Sequence, residues 1–245
     1  MPVLETTEHG DVAVLTLSHG PVNALDLELL TAIPGALADV AGAAAVVLTG
    51  AGRCFSAGVD LKRIVDGGAA YVAEFLPALS TAVLALFDHP RPVVAAVNGH
   101  ALAGGCVLAA ACDVRLMSGG TIGLTELAAG VPFPTVPLEV MRHAAGPATD
   151  RLVLTAERLE AAEAYRIGLV DELTDDLLPA ALARASALTA APAEVYALAK
   201  RRLHGPAHDL IAARRELDDP GVTELWSAPS TRERLRGFLA RLAAR

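Results

Sequence analysis

Val93-Val-Ala-Ala-Val-Asn-Gly-His-Ala-Leu-Ala-Gly-Gly-Cys-Val-Leu-Ala-Ala-Ala-Cys112 is the stretch on which the fold turns. Its first five residues are apolar without alternation, the pattern of a short strand buried on both faces of a parallel sheet. Asn98-Gly99 stops the strand, and a helix is expected over Ala103 to Ala111. Glycine where a strand opens into a helix lets the backbone come close to a ligand, and it leaves the first helical N–H groups without intrahelical partners. Such a terminus favours negative charge, so Gly104-Gly105 is a candidate anion or oxyanion site, although glycines after buried strands also serve tight packing alone.

The same grammar appears on both sides. Ala45 to Thr49 is a second buried run, ending at Gly50-Ala-Gly52 and followed by the glycine-bearing turn Phe55-Ser-Ala-Gly-Val-Asp-Leu-Lys62; Val114 to Met117 is a third. Asp11 to Leu17 reads as an earlier strand closed by His19-Gly20-Pro21. Helical spacing of Leu25, Leu29, Ile33 and Leu37 predicts a helix over Asn23 to Val40, with Asp26 and Glu28 near its positive end. A further helix is expected over Tyr71 to Phe87. Strands alternating with helices imply βαβ units and an α/β core.

From about Asp150 helices dominate. Arg151 to Thr155, Ala161 to Ile167, Leu177 to Thr189, Ala193 to Arg202 and Ser230 to Ala244 are expected as helices, with Leu169 to Leu173 a short strand and Pro192, Pro206, Pro220 and Pro229 as punctuation. The expected division is a core over residues 1–189 and a helical C-terminal region over residues 190–245.

Composition narrows the function classes. The 245 residues include 53% hydrophobic and 20% charged, enough to bury a large core. A net charge of −8 argues against a general nucleic-acid binder. Mean hydropathy is high, +0.44, yet the longest apolar stretch singled out, Ala101 to Cys112, is too short to span a bilayer. Cys54, Cys106 and Cys112 have no C-x-x-C spacing, so neither a disulfide framework nor a zinc site is indicated. Met1 to Gly10 contains Glu5 and Glu8 and lacks an apolar core of the signal-peptide kind, so a cytoplasmic protein is expected.

The two glycine turns, taken together and about 45 residues apart, resemble the signature segments of the enoyl-CoA hydratase/isomerase (crotonase) superfamily. Pro21-Val-Asn-Ala-Leu25, Cys112-Asp113, Ile122-Gly-Leu-Thr-Glu126 with Gly130, and Ala161-Ala-Glu-Ala-Tyr-Arg-Ile-Gly-Leu-Val-Asp171 extend the resemblance in order over about residues 10 to 200. It implies a ββα-spiral core and a C-terminal helical region that builds homotrimers or dimers of trimers. It also implies an acyl-CoA thioester substrate, with coenzyme A part of that substrate and no metal or redox cofactor, nucleic acid or membrane. Carried over by position, the backbone N–H groups of Val59 and Gly104 hold the thioester oxygen. The coenzyme A lies against the first turn, around Ala57 and Leu61, with Ala24, Lys62 and Gly105 as further contacts; Lys62 reads equally as a solvated surface lysine. The last residues, Ala243-Ala-Arg245, lack the basic and aromatic segment that many relatives carry.

Hydratases of this superfamily use two glutamates. The first position matches Val107 here, which can neither accept a proton nor orient water; the second matches Glu126. One carboxylate suffices to move a double bond from C3–C4 to C2–C3, and the motifs lean toward the Δ3,Δ2-enoyl-CoA isomerase branch, with Glu126 as base. The alternatives are hydratase or other enolate chemistry (a hydrolase or decarboxylase) and a non-catalytic acyl-CoA binder. Asp60 is expected to cap a helix, Asp113 to be structural, and His100 and Cys106 to lack a catalytic role. Glu126 itself reads alternatively as a mere helix N-terminal acid.

Overall fold

The computed structural model describes residues 2–243, so Met1, Ala244 and Arg245, including the final residue of the expected last helix, lie outside the described residues. The elements run β1 (Leu4–His9), β2 (Val12–Leu17), α1 (Leu27–Asp39), β3 (Ala45–Gly50), β4 (Cys54–Ser56), α2 (Leu61–Phe87), β5 (Val93–Val97), β6 (His100–Leu102) and α3 (Gly104–Ala110). They continue with β7 (Val114–Met117), β8 (Thr121–Gly123), α4 (Glu126–Ala129), α5 (Thr135–Ala145), α6 (Ala148–Thr155), β9 (Leu159–Glu160), α7 (Ala161–Arg166), β10 (Glu172–Leu173), α8 (Leu177–Leu188), α9 (Ala193–Ser227) and α10 (Pro229–Ala243).

Three ββα units repeat in succession: β3-β4-α2, β5-β6-α3 and β7-β8-α4. In each, the first strand joins a six-stranded sheet of order β1-β2-β3-β5-β7-β10 and the second joins a four-stranded sheet of order β4-β6-β8-β9. The large sheet is parallel except for the β1–β2 hairpin, and the small one is parallel except for β9. Each helix therefore begins at the same edge of the small sheet, which gathers the three strand-to-helix turns side by side.

The apolar runs are buried on both faces, and the two faces have different partners. Val46 and Leu48 of β3 and Val93, Ala95 and Val97 of β5 point into the main core, which also contains Phe55, Phe75 and Phe87. Their alternates, Ala45, Val47, Val94 and Ala96, meet Ala181 and Ala185 of α8. A strand side chain switches face every residue, so an unbroken apolar run is required here and an alternating one would expose α8 to polar groups.

Several helix limits differ from expectation. α1 begins at Leu27 because the Asp26 carboxylate caps it, accepting from the Leu29 amide at 3.0 Å. Asn23, placed inside that helix by its periodicity, instead has a positive φ of 50° and stays buried. α2 begins ten residues earlier than expected, at Leu61, and carries a kink at Gly68. By length and composition it is also long and apolar enough to span a membrane, although charged residues such as Asp66 and Glu74 interrupt its apolar run. Its apolar side, including Val72, Phe75, Leu79 and Val83, belongs to the main core.

α9 runs through Pro206 and Pro220, expected as punctuation, over 35 residues. An interior proline forfeits one backbone hydrogen bond and costs about 3 kcal/mol in an isolated helix. Burial of Ala207, Ile211 and Trp226 opposes that cost, and Asp219, beside Pro220, accepts from both the amide and the hydroxyl of Thr135 at 2.9 and 2.7 Å. α5, unanticipated as a helix, is held against α9 by this contact.

A buried ion pair also ties α9 to the core. Lys200 Nζ lies 2.9 Å from Asp113 Oδ1, with side chains 6% and 11% exposed, while Asp113 Oδ2 accepts from the Val93 amide at 2.7 Å. Removing one partner of such a pair leaves an uncompensated buried charge. Lys200→Met is expected to cost on the order of 3 kcal/mol in denaturant unfolding; a loss below about 0.5 kcal/mol, the scale of an exposed pair, would contradict the tie.

Candidate active site

The turns at the edge of the small sheet enclose a cavity of about 380 Å³. Two chain segments lie alongside each other to form one wall. Leu25 N–H donates to Gly58 O at 2.8 Å, Asp60 N–H donates to Leu25 O at 2.9 Å, and Ala57 N–H donates to Val22 O at 2.9 Å. Asn23 fastens the pair: its Nδ2 donates to Cys54 O at 2.8 Å, and its own carbonyl accepts from the Ser56 hydroxyl at 2.7 Å. In a parallel pairing of this kind the amide of the intervening residue, Val59, points away from the Leu25 strand. Among the described residues it has no acceptor, and Val59 lines the cavity.

The second turn packs directly on the first. A Cβ at Gly58, whose φ is +84°, would lie 2.5 Å from Leu102 O and 3.2 Å from Gly104 N. One at Gly105 would strike the Ser56 carbonyl and lie 2.8 Å from the Ser56 Cβ. Both positions therefore demand glycine, and their absent side chains let the Gly104 amide sit beside the Val59 turn. Ala103, just before it, holds a φ of 50° and ψ of −124°, a sparsely populated conformation that costs about 1–3 kcal/mol. As the first residue of α3, Gly104 has no intrahelical acceptor for its N–H. Two unspent amides thus converge where the backbones meet.

Glu126 brings a buried carboxyl to the cavity. It follows β8 as the first residue of α4, lines the cavity and is only 7% exposed. Its Oε2 has no hydrogen-bond partner. Burial pushes its carboxyl up to about 8, against the downward pull of its own amide and that of Thr125; no charged neighbour contributes. A helix N-terminal acid serving only as a cap would be solvated, whereas this one is buried with one carboxyl oxygen left without a partner. The cavity's other carboxylate, Asp60, is occupied as the cap of α2, accepting from Lys62 N and Arg63 N at 3.0 and 3.1 Å.

Of the residues singled out in the sequence, Ala24, Ala57, Val59, Leu61, Lys62 and Glu126 line the cavity. Gly104 lies at its back, beside lining Gly58 and Ala103. Gly105, like Gly104, is buried and not itself part of the lining; it packs behind the wall against Ser56. Val107 is 1% exposed within α3 and does not reach the cavity. His100 bonds Thr121 at 2.9 Å, away from the cavity, and burial pushes the Cys106 thiol far up, unsuited to a nucleophile.

Sequence reasoning missed the opposite wall. Trp226, at the end of α9, lines the cavity and donates from Nε1 to Pro132 O at 2.9 Å; Phe238, Leu239 and Leu242 of α10 join it, as does Arg158. The i, i+1, i+4 spacing of the α10 residues marks an apolar helical face, but nothing local says what it covers.

The sequence description of the enoyl-CoA hydratase/isomerase family matches residues 7–245. The chain belongs to that family. It is 31% identical over 253 residues to the mitochondrial enoyl-CoA delta isomerase 1 of Mus musculus, covering 98% of this chain and 86% of that protein. It is 38% identical over 175 residues to a putative enoyl-CoA hydratase of Thermus thermophilus, covering 68% and 69%. The crystal structure of human mitochondrial delta3-delta2-enoyl-CoA isomerase superposes with a TM-score of 0.93 at 27% identity, over 99% of this chain and 98% of that one. The family fold is thus the one described above, and within the family the chain is isomerase-like.

Because the Glu126 carboxyl is raised from 4.5 to about 8, the folded protein binds this proton more tightly than the unfolded chain does between those values. Stability therefore falls as pH rises through that window. Glu126→Gln removes the ionisation, so the variant should be more stable than the parent at pH about 8.5, by on the order of 4 kcal/mol. The gap should close toward pH about 4.5. Chemical unfolding of both proteins at the two pH values checks this; a pH-independent difference would refute the raised carboxyl.

Proposed function

We propose that the protein isomerises 3-enoyl-CoA thioesters to 2-enoyl-CoA, with Glu126 as its one base and the Val59 and Gly104 amides as its oxyanion donors. The observation that carries this reading is the cavity's carboxylate inventory: Glu126 keeps one oxygen without a partner, Asp60 is spent on a helix cap, and the position of a second glutamate is the buried Val107. Two amides without acceptors suit the thioester oxygen, each such donor contributing about 3–4 kcal/mol as negative charge develops. The Glu126 carboxylate takes a proton from C2, the C3–C4 electron pair moves to C2–C3 through the dienolate, and Glu126 returns the proton at C4. Nothing is oxidised and no water is consumed, so the reaction asks for neither an electron carrier nor a metal. The apolar surroundings that raise the Glu126 carboxyl also match its basicity to work near neutrality.

Coenzyme A would lie along Ala24, Ala57 and Leu61, with the exposed Lys62 at the mouth near its phosphates. We further propose assembly into a homotrimer or a dimer of trimers in the cytoplasm. Leu203, Leu210 and Leu217, spaced by seven on α9 and 68%, 45% and 71% exposed, favour a second copy as partner. Light scattering should give a mass three or six times the 25.2 kDa chain; a monomer would overturn the assembly.

A hydratase reading draws support from the hydratase-named relative. Absorbance at the conjugated enoyl-thioester band separates the two. With trans-3-hexenoyl-CoA the band should grow, with kcat/KM rising to a plateau above pH about 8; with crotonyl-CoA it should stay constant. Glu126→Gln should lower isomerisation by about a thousandfold. Loss of the crotonyl-CoA band would establish hydration instead, release of free coenzyme A a hydrolase, and silence with every acyl thioester a binding protein.

A further inference from the structure

Among the described residues Arg158, an exposed side chain, is the one cation on the cavity wall apart from Lys62 at the first turn, and none of the features above accounts for it. Its neighbours in sequence are paired: Arg151 with Glu157 at 2.7 Å, and Arg166 with Glu163 at 2.6 Å. Among the described residues no carboxylate lies within 4 Å of Arg158, and it does not act on the Glu126 carboxyl, which responds to burial and backbone amides alone.

Its place follows from strand order. The small sheet runs β4-β6-β8-β9. At one edge of it β4 delivers the Ala57–Lys62 turn, β6 delivers Leu102 to Gly104, and β8 delivers Thr125 and Glu126. β9 is antiparallel to β8, with Ile122 opposite Leu159, so the residue just before it, Arg158, arrives at the same edge. A Cβ at Gly123 would lie 3.3 Å from the Arg158 Cα, which fixes that adjacency. Neighbouring strands are about 4.8 Å apart. The cavity therefore reads in one direction: coenzyme A side, paired amides, base, and then, one strand further, an unpaired guanidinium.

We infer that Arg158 selects acyl chains that carry a terminal carboxylate, binding that group beyond the carbons that Glu126 addresses. This rests on the acyl-CoA reading above. A guanidinium presents a planar fork matched to a carboxylate. An uncharged chain in the same place gains only contact with the arginine stem. A six-carbon chain puts its carboxylate about one strand spacing past C2–C4, within the side chain's reach.

The test compares binding of two saturated thioesters of equal length, adipoyl-CoA and hexanoyl-CoA, by calorimetry at pH about 7.5. Free coenzyme A serves as reference, and the proteins are the full chain, Arg158→Gln and Arg158→Lys. The parent should bind adipoyl-CoA about fivefold more tightly than hexanoyl-CoA, the scale of a partly solvated charged hydrogen bond. Arg158→Gln should bring the two affinities together, and Arg158→Lys should keep part of the preference. Equal affinities in the parent, or a preference that survives Arg158→Gln, would overturn the role of Arg158 while leaving the acyl-CoA reading in place. A uniform weakening of all three ligands, free coenzyme A included, would assign Arg158 to a coenzyme A phosphate and overturn it equally. If neither thioester binds, the acyl-CoA reading itself fails, and this inference with it.

Discussion

The contact between two backbones, the Ser56–Val59 turn and the start of α3, is the constraint on which the rest depends. Gly58 and Gly105 make it, since a methyl group at either would collide with main-chain atoms of the other turn. Backbone atoms cannot adapt by changing rotamer, so the spacing between the Val59 and Gly104 amides is set by chain geometry and not by side-chain packing. The strained Ala103 is held in its conformation by the same contact, with its amide bonded to Gly123 O at 2.8 Å across the small sheet. Strain of this kind persists only where the surroundings over-determine it, and here three strands do so.

That rigidity is inherited from the ββα repetition. Each unit turns from the large sheet into the small one and then into a helix, so the same edge receives one glycine turn after another. The large sheet can anchor them because it is covered twice, by the main core and by α8. The short side chains of Ala181 and Ala185 let that helix lie close to Val47 and Val94. The polar ties are few and long in sequence: Asn98 accepts from Gly50 N–H and donates to Gly52 O, and Asn23 joins its own segment to β4. Each couples residues more than 25 positions apart.

These distances explain what the sequence made legible. Strands β3, β5 and β7 and the two glycine turns were readable because burial on both faces and turn chemistry leave local marks. Val59, Ala57, Leu61 and Glu126 could be placed from ordered motifs. The start of α1 was misread because Leu25 keeps helical spacing with Leu29 while actually pairing with Val59 as an isolated bridge. The length of α9 was hidden because proline is a local signal, whereas Asp219 and Trp226 answer to partners about 90 residues away. The cavity's far wall was invisible for the same reason: Phe238 and Leu239 are an apolar helical face until α10 folds back across α2. Arg158 left no mark at all, being one arginine among eighteen until β9 pairs beside β8.

In the proposed isomerisation one physical condition, burial, governs both halves of the chemistry. Burial of Glu126 disfavours its charge and makes it a stronger base than a solvated glutamate. In the proposed reaction a low-dielectric surrounding likewise strengthens the pull of the Val59 and Gly104 amides on a developing oxyanion. The cost falls on the resting protein, which holds a carboxylate without a partner for its Oε2. A second carboxylate beside it would raise that cost further by like-charge repulsion, and would need water to be useful. Val107, apolar and sealed inside α3, leaves Glu126 as the one base of the proposed reaction, and the raised Glu126 carboxyl follows from that residue's own burial.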